Sequence, residues 1–144
     1  MKDALVTFDT AILAKNAGFD VPTAPVYYLR DTEKLEGTEL GVIPQNHNFY
    51  KPRVSVPTQN LLQKWLRENH DIHLVISRKY EWHLESSPIF EGWNVHIDVP
   101  IGHKELSNTV NKYYFYAIFD TYEDAIEAGL LQALRYIVNC WIIK

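Results

Sequence analysis

Residues 57–76 read PTQNLLQKWLRENHDIHLVI, and this stretch contains the clearest structural signals in the chain. Pro57 and Thr58 are typical of a helix start, because proline suits the first turn and a threonine hydroxyl caps free backbone N–H groups. Apolar residues then recur at helical spacing as far as residues 69–71, where the helix is predicted to end. Over residues 72–77 apolar and polar side chains alternate, which indicates a half-buried strand. The predicted apolar face of the helix comprises Leu61, Leu62, Trp65 and Leu66.

Downstream of this stretch, the patterns predict two further strands and a closing helix. Residues 93–99 alternate between apolar and polar side chains, and the aromatic run at 113–119 favours a third strand. Thr121 is placed to cap the last helix, whose acidic first turn suits the helix dipole. The predicted buried stripe of this helix comprises Ile126, Leu130, Ala133, Leu134, Ile137 and Trp141.

The order from residue 57 onward is helix, three strands, helix, and it resembles the order of elements in the double-stranded RNA-binding domain. Domains of that kind contact RNA from the first helix and from a basic start of the last helix. Here Glu123, Asp124 and Glu127 stand where lysines would be expected. The resemblance therefore supports the order of elements and not the RNA contact.

The first 55 residues predict a small unit made of a helix and a hairpin. Thr7 can cap a helix that Gly18 would end. Residues 26–29 are apolar and aromatic, as in a strand, and residues 49–50 are the expected partner. Between these strands residues 31–48 are rich in polar residues, glycine and proline, which predicts a long loop.

The chain of 144 residues, 47% of them hydrophobic, has the size and composition of one globular domain. We predict an α+β fold, in which the second and last helices pack on one face of an antiparallel sheet. The expected domain spans 1–144 and has two parts, the helix and hairpin unit at 1–55 and the helix, three strands, helix unit at 56–144. No apolar run approaches the roughly 20 residues that cross a bilayer, and no signal-peptide pattern opens the chain. A cytoplasmic location without membrane contact is expected, and the single cysteine, Cys140, fits a reducing compartment.

The sequence contains no recognisable pattern of catalytic or cofactor-binding residues. The GxxxxGK[ST] phosphate loop, the GxGxxG dinucleotide turn, the GxSxG elbow and the CxxC and HExxH metal motifs are all missing. We therefore predict a non-enzymatic protein with no catalytic residues, no cofactor and no metal. A small hydrolase stays open as an alternative if several histidines converge in a pocket. The histidines concerned are His70, His73, His83 and His96.

Charge is distributed unevenly along the chain. The formal net charge is -4, but residues 50–80 carry six basic and two acidic residues, a net +4, which leaves -8 for the remainder. A basic segment of this kind keeps open an alternative function, the binding of nucleic acid through phosphate contacts and base stacking. The residues that would carry it are Arg53, Lys64, Arg67, Arg78 and Lys79.

Aromatic residues are abundant, since 4 Trp, 9 Tyr and 6 Phe occur in the chain. Most of these rings are expected in the core, while rings that remain exposed would form a surface for a partner. We therefore predict an accessory or protein-interaction domain whose protein partner is unknown. A homodimer is also possible, because an exposed edge strand such as residues 26–29 could pair across a two-fold axis.

Three segments of the chain resemble a family of small proteins of unassigned function from Bacteroides-type bacteria and their phages and mobile elements. They are VPTQNLLQKWLRENHDIHL at 56–74, TFDTAILAKNAGF at 7–19 and TYEDAIEAGLLQAL at 121–134. The resemblance supplies no catalytic residues. It implies an accessory protein of a bacterial or phage system.

Overall fold

The fold is α+β, with antiparallel sheets and three helices among the residues that the structure describes. This structure, a computed structural model, describes residues 3–30, 33–34, 39–50, 53–82, 87–99, 112–114 and 118–142. The helices are α1 (Phe8–Asn16), α2 (Gln59–His70) and α3 (Tyr122–Ile142), and a 3-10 helix spans His47–Phe49. The strands are β1 (Thr23–Arg30), β2 (Glu33–Lys34), β3 (Glu39–Gln45), β4 (Arg53–Ser55), β5 (His73–Glu81), β6 (Ile89–Asp98) and β7 (Lys112–Tyr114).

A threonine begins each α-helix, as predicted from the sequence. The hydroxyl of Thr7 accepts a hydrogen bond from the backbone N–H of Thr10, and that of Thr58 accepts one from Leu61. Thr121 caps α3 in the same way, because its hydroxyl lies 3.0 Å from the backbone nitrogen of Asp124. Each bond satisfies an N–H group that has no partner within its own helix.

The predicted end of α1 at Gly18 is also confirmed. Gly18 has a φ of 92°, which favours glycine, and it turns the chain back so that Phe19 donates its N–H to the carbonyl of Ala14. The Phe19 ring is then 1% exposed. The end of α2 falls at Asp71, within the predicted range, in a left-handed conformation with a φ of 52°.

The N-terminal strands form a four-stranded sheet in place of the predicted hairpin. β1 pairs antiparallel with β2, β3 and β4, and Val26 lies opposite both Glu39 and Ser55. The predicted pairing of β1 with residues 49–50 is wrong, because Phe49 belongs to the 3-10 helix. The expectation that β1 is a free edge is wrong as well, since strands flank it on both sides.

The predicted loop at residues 31–48 is wrong where the structure describes it. β2 and β3 lie within this segment, and the 3-10 helix begins there. Gly41 and Pro44 were interpreted as breakers, yet both belong to β3, which pairs with β1 alone among the described strands. An edge strand can contain proline, because the missing N–H can face away from the partner.

The second sheet has the order β5-β6-β7 and is antiparallel throughout. β6 is longer than the predicted strand at 93–99, since it begins at Ile89. β7 is shorter than the predicted strand at 113–119, although residues 115–117 lie outside the described part. Phe119 instead forms an isolated bridge with Trp93.

α3 packs closely against β5 and β6. A Cβ atom added to Gly129 would lie 2.8 Å from side-chain atoms of both Leu74 and Val95, so glycine allows this close approach. The predicted buried stripe of α3 is confirmed except at Trp141, whose side chain, like that of Cys140, lies outside the described part. The buried residues of the stripe are Ile126, Leu130, Ala133, Leu134 and Ile137.

One hydrophobic cluster includes residues from both predicted units, 1–55 and 56–144. Val6, Phe19 and Val54 from the first unit belong to the same cluster as Leu66 and Leu130 from the second. Among the described residues, no helix is long and apolar enough to span a membrane.

Candidate interaction surface

The β5–β6 hairpin extends beyond the N-terminal end of α3. Leu74 and Ile76 of β5 lie opposite Ile97 and Val95 of β6, and this half of the hairpin is covered by α3. Alternate residues of a strand share one face, so Arg78 and later even-numbered residues of β5 continue the face that α3 covers. Their half of the hairpin leaves the helix behind, and residues 77–81 are all exposed.

Four aromatic rings make a continuous chain of contacts on this face. Ring centroids lie 5.7 Å apart for Tyr80 and Phe90, 5.7 Å for Phe90 and Trp93, and 5.3 Å for Trp93 and Tyr122, the first residue of α3. All three contacts are edge-to-face, a geometry in which each pair contributes about 0.5–1.5 kcal/mol beyond its buried area. These four rings and Arg78 are called the aromatic surface below.

The rings of this surface are ordered by one another but not covered. Phe90 is 46% exposed, Tyr122 is 42% exposed and Tyr80 is 37% exposed. Trp82, two residues after Tyr80, is 77% exposed, and Ile89 is 55% exposed. A contiguous apolar area of this kind is typical of an interaction site and costs solubility if left uncovered.

Arg78 lies over the rings of the aromatic surface. Its guanidinium carbon is 5.4 Å from the Trp93 ring centroid and 6.0 Å from that of Phe90. Its Nη1 also donates a weak hydrogen bond of 3.4 Å to the hydroxyl of Tyr80. The faces of these rings therefore already accept one cation, through the attraction of a positive charge to the π-electrons.

A bulge in β6 brings Phe90 and Trp93 to the same face. The two residues are three apart, so a regular strand would point them to opposite faces. The register of the β5–β6 pair shifts between Lys79 and Tyr80, so that Trp93 lies opposite Arg78 and Phe90 lies opposite Tyr80. The aromatic surface depends on this shift.

Gly92 makes the bulge possible. Its φ is 150°, and an added Cβ would lie 2.5 Å from a side-chain atom of Ile118 and 2.7 Å from the carbonyl oxygen of Phe119. That carbonyl cannot retreat easily, because it accepts a hydrogen bond of 2.9 Å from the N–H of Trp93. The glycine thus fixes both the bulge and the position of Trp93.

The charges beside the aromatic surface are mainly negative. Asp120, Glu123 and Asp124 are all exposed at the start of α3, next to Tyr122. Acidic residues here stabilise the helix through its dipole, and they also give the adjoining surface a negative potential.

The structure places the five residues of the predicted nucleic-acid site on three elements. Arg53 lies in β4, with its guanidinium carbon 4.8 Å from the ring centroid of Tyr50. Lys64 and Arg67 are exposed on α2, where Lys64 is 3.9 Å from the Glu68 carboxylate. Arg78 and Lys79 are neighbours in β5 and therefore point to opposite faces. Of the five, Arg78 belongs to the aromatic surface.

The predicted alternative of a histidine site gains no geometry. His70 stacks edge-to-face on Trp65, and burial lowers its pKa. His73 lies 3.1 Å from the carboxylate of Asp71, and His96 lies on the same polar face of the second sheet. His83 falls outside the described residues. Within the described ranges, no three His, Cys, Asp or Glu side chains are grouped so that they could hold a metal ion.

A second polar cluster joins all three helices at Glu127. Carboxylate oxygen Oε1 accepts hydrogen bonds from the N–H and hydroxyl of Thr7 and from the hydroxyl of Thr10, the last at 2.6 Å. Oε2 accepts one of 3.1 Å from the side chain of Gln59, which is 6% exposed. The charge of Glu127 and burial together raise the pKa of Tyr27, with burial the larger cause.

The Glu127 cluster holds helices together and its carboxylate is fully occupied by donors. Sequence analysis assigned Glu127 only to the helix dipole, since nothing local indicates a partner 120 residues away. A cleft of about 250 Å³ adjoins the cluster. It is lined by Asp3, Ala4, Gln59, Asn60, Tyr122, Glu123 and Ile126.

His47 is a buried ionisable group outside the aromatic surface. Its ring is 2% exposed, and neither ring nitrogen has a hydrogen-bond partner among the described residues. Burial lowers the pKa of His47, and the positive charge of Arg53 lowers it further. Backbone groups of Thr23 and Ala24 oppose this shift, although they are not placed for regular hydrogen bonds.

Comparisons of the chain with protein-family models, with curated proteins and with solved structures found no match. The resemblance of the three segments to a bacterial and phage family therefore stays a prediction. The aromatic surface has to be interpreted from its own chemistry.

Proposed function

We propose that this protein is a non-enzymatic interaction module, and that its aromatic surface binds a protein segment in which a lysine or arginine neighbours an apolar side chain. One observation carries the proposal. Tyr80, Phe90, Trp93 and Tyr122 form an ordered chain of edge-to-face rings, partly exposed, on a sheet face that no described element covers.

The apolar part of such a segment would lie on the exposed rings. Phe90 is near the middle of the chain of rings and is 46% exposed, so it offers the largest ring area between two aromatic neighbours. Because its neighbours hold it in one orientation, little side-chain entropy would be lost on binding. Preorganised aromatic residues of this kind often dominate interface energies.

The basic part of the segment is chosen by charge. Asp120, Glu123 and Asp124 border the surface at Tyr122, and a cation would gain from their combined potential. Arg78 supplies a pattern for the contact, since its guanidinium already lies over two of the rings. A second cation over the outer rings would be attracted in the same way.

The bacterial or phage setting of this module is part of the proposal. It rests on the resemblance of the segments at 7–19, 56–74 and 121–134 alone. The resemblance also carries no partner, so the segment is defined here by its chemistry.

Nucleic acid is the second candidate, because exposed rings beside Arg78 and Lys79 could stack on bases. The order of elements that resembles the double-stranded RNA-binding domain would point the same way. The acidic start of α3 argues against it, since Glu123 and Asp124 would repel phosphates. Lys64 and Arg67 also belong to another element, α2.

The experiment is a selection from a library of random 12-residue peptides displayed on phage, with the whole protein as bait. The selection is repeated with the Phe90→Ala protein and with Phe49→Ala as the matched control. Phe49 is 82% exposed and lies in the other part of the chain, so it tests exposure without the aromatic surface. Enriched peptides are then made and titrated by calorimetry.

We expect the wild-type protein and Phe49→Ala to enrich peptides with a basic residue beside an apolar or aromatic one, and Phe90→Ala to enrich none of them. Binding of a synthesised peptide should weaken with salt and fall by about tenfold in Glu123→Lys, because each rim charge contributes up to about 1 kcal/mol and reversal doubles its effect. No enrichment over the library, or enrichment that Phe90→Ala leaves intact, would falsify the proposal. Tight binding of a labelled single-stranded DNA that Phe90→Ala abolishes would replace it with the second candidate.

A further inference from the structure

β5 is an edge strand, and its outer half is open. Among the described residues, β5 pairs with β6 on one side and with no strand on the other. Its first residues adjoin α2, where Ile72 donates its N–H to the carbonyl of Leu66. Residues 77–81 lie beyond this contact and are all exposed. An edge with free backbone N–H and C=O groups is a template for another strand.

A second copy of this chain is the partner that fits the open edge, and symmetry limits how it can bind. Two copies related by a two-fold axis perpendicular to the sheet would place their β5 strands side by side and antiparallel. Such an axis keeps each face of the sheet on its own side. Residues that lie opposite one another must then come from the same face, so the axis passes through a residue and not between two residues.

Charge selects one centre for this axis. A centre at Arg78, Lys79 or Glu81 would put that residue opposite its own copy, with like charges in contact. A centre at Tyr80 puts Lys79 of each copy opposite Glu81 of the other, two favourable pairs on the polar face. On the aromatic face it puts Arg78 of each copy opposite Trp82 of the other.

Trp82 supports this register independently. Its side chain is 77% exposed, the largest exposure of a tryptophan among the described residues. A guanidinium opposite an indole ring on a neighbouring strand is within reach of a cation–π contact. The two Tyr80 rings would meet at the axis, and the two aromatic surfaces would lie next to each other on one six-stranded sheet.

We infer that this protein forms a two-fold symmetric dimer by antiparallel pairing of β5, with Tyr80 at the axis and Lys79 facing Glu81 of the second copy. The inference does not rest on the proposed function, because it uses the edge of β5 and the opposite face of the sheet.

The test measures the mass of the whole protein in solution by sedimentation equilibrium over a range of micromolar concentrations. The wild-type protein should have twice its chain mass of 16.8 kDa. Lys79→Glu and Glu81→Lys should each weaken the dimer roughly tenfold or more, since two attractive pairs become two repulsive pairs. The double variant Lys79→Glu/Glu81→Lys restores opposite charges and should restore the dimer.

Recovery in the double variant separates direct pairing from a general effect of charge, since the double variant has the same net charge as the wild-type protein. Circular dichroism of each variant shows whether the fold is intact, which is expected because both side chains are exposed. A monomeric wild-type protein at every concentration would overturn the inference. So would a dimer that the single variants do not weaken, or a double variant no more dimeric than the singles. Phe90→Ala should leave the dimer intact, so failure here and failure of the proposed function are told apart.

Discussion

The two halves of the β5–β6 hairpin share one sheet face and differ in what covers them. Near α2 the face carries Leu74, Ile76, Val95 and Ile97, which α3 covers. Towards the tip the same face carries Arg78 and the rings of the aromatic surface, and α3 ends at Tyr122. The side chains change from aliphatic to aromatic where the helix ends. Aliphatic side chains seal a core, whereas partly exposed rings and a cation are suited to a contact made later.

Loss of packing in the covered half should have the largest effect. Ile97 is 2% exposed, so Ile97→Ala removes buried methyl groups and leaves a cavity under α3. We expect the free energy of unfolding, measured in urea, to fall by about 3 kcal/mol. The milder Ile97→Val should cost about 1 kcal/mol. A loss below that for Ile97→Ala would mean that the covered half is loosely packed and the comparison fails.

The bulge that divides the halves comes next. Gly92→Ala forces a side chain into a φ of 150° and against the Phe119 carbonyl, so we expect a loss of about 2 kcal/mol. Hydrogen exchange at the amides of Trp93 and Phe119 should speed up, because their mutual bonds are disturbed. Gly18→Ala is the control, since Gly18 also has a positive φ but nothing lies within 4 Å of an added Cβ. It should cost about 1 kcal/mol from backbone strain alone. Equal losses in the two variants would remove the steric role assigned to Gly92.

Acid should weaken the fold through a residue outside both halves. The pKa of His47 is lowered in the folded state from 6.5, mainly by burial, so the unfolded chain takes up this proton first as pH falls. The stabilising effect is complete above pH 6.5 and is lost progressively below it, until the pH passes the folded pKa. Urea unfolding between pH 7.5 and 5 should show about this trend, with a smaller slope in His47→Gln. His70 has a shift of the same sign, so some slope should remain in the variant. Identical slopes in the two proteins would contradict the assignment to His47.

The smallest effect on stability is expected in the outer half. Phe90→Ala should lower the free energy of unfolding by about 1 kcal/mol or less, because the ring is 46% exposed and mainly loses its two ring contacts. Urea unfolding beside Ile97→Ala gives the direct comparison. Should both variants lose the same free energy, the outer half would be part of the core and its exposed rings would need no partner.

Local signals in the sequence predicted local structure well. Thr7, Thr58 and Thr121 were identified as helix starts because capping depends on the few residues that follow each threonine. The strand pattern at residues 72–77 was equally local. Strand pairing is not local, and the prediction for residues 31–48 failed because Gly41 and Pro44 suit an edge strand as well as a loop.

The aromatic surface could be predicted only in part. Abundant aromatic residues indicated that some rings would be exposed, but not that Phe90 and Trp93 would share a face. That depends on the bulge at Gly92, and an isolated glycine inside a strand pattern was the available signal. Arg78 was selected for its charge, while its place over the rings required the cross-strand register of β5 and β6.

The hydrogen bonds of Glu127 have a consequence for the order of events during synthesis. Thr7 at the start of α1 and Glu127 in α3 are 120 residues apart in the chain, and closing so long a loop is entropically costly. As the ribosome delivers the chain from its N-terminus, α1 emerges long before the carboxylate that receives its first-turn donors. We therefore expect α1 to dock among the last elements, so that the nascent protein is complete only when both ends of the chain have been made.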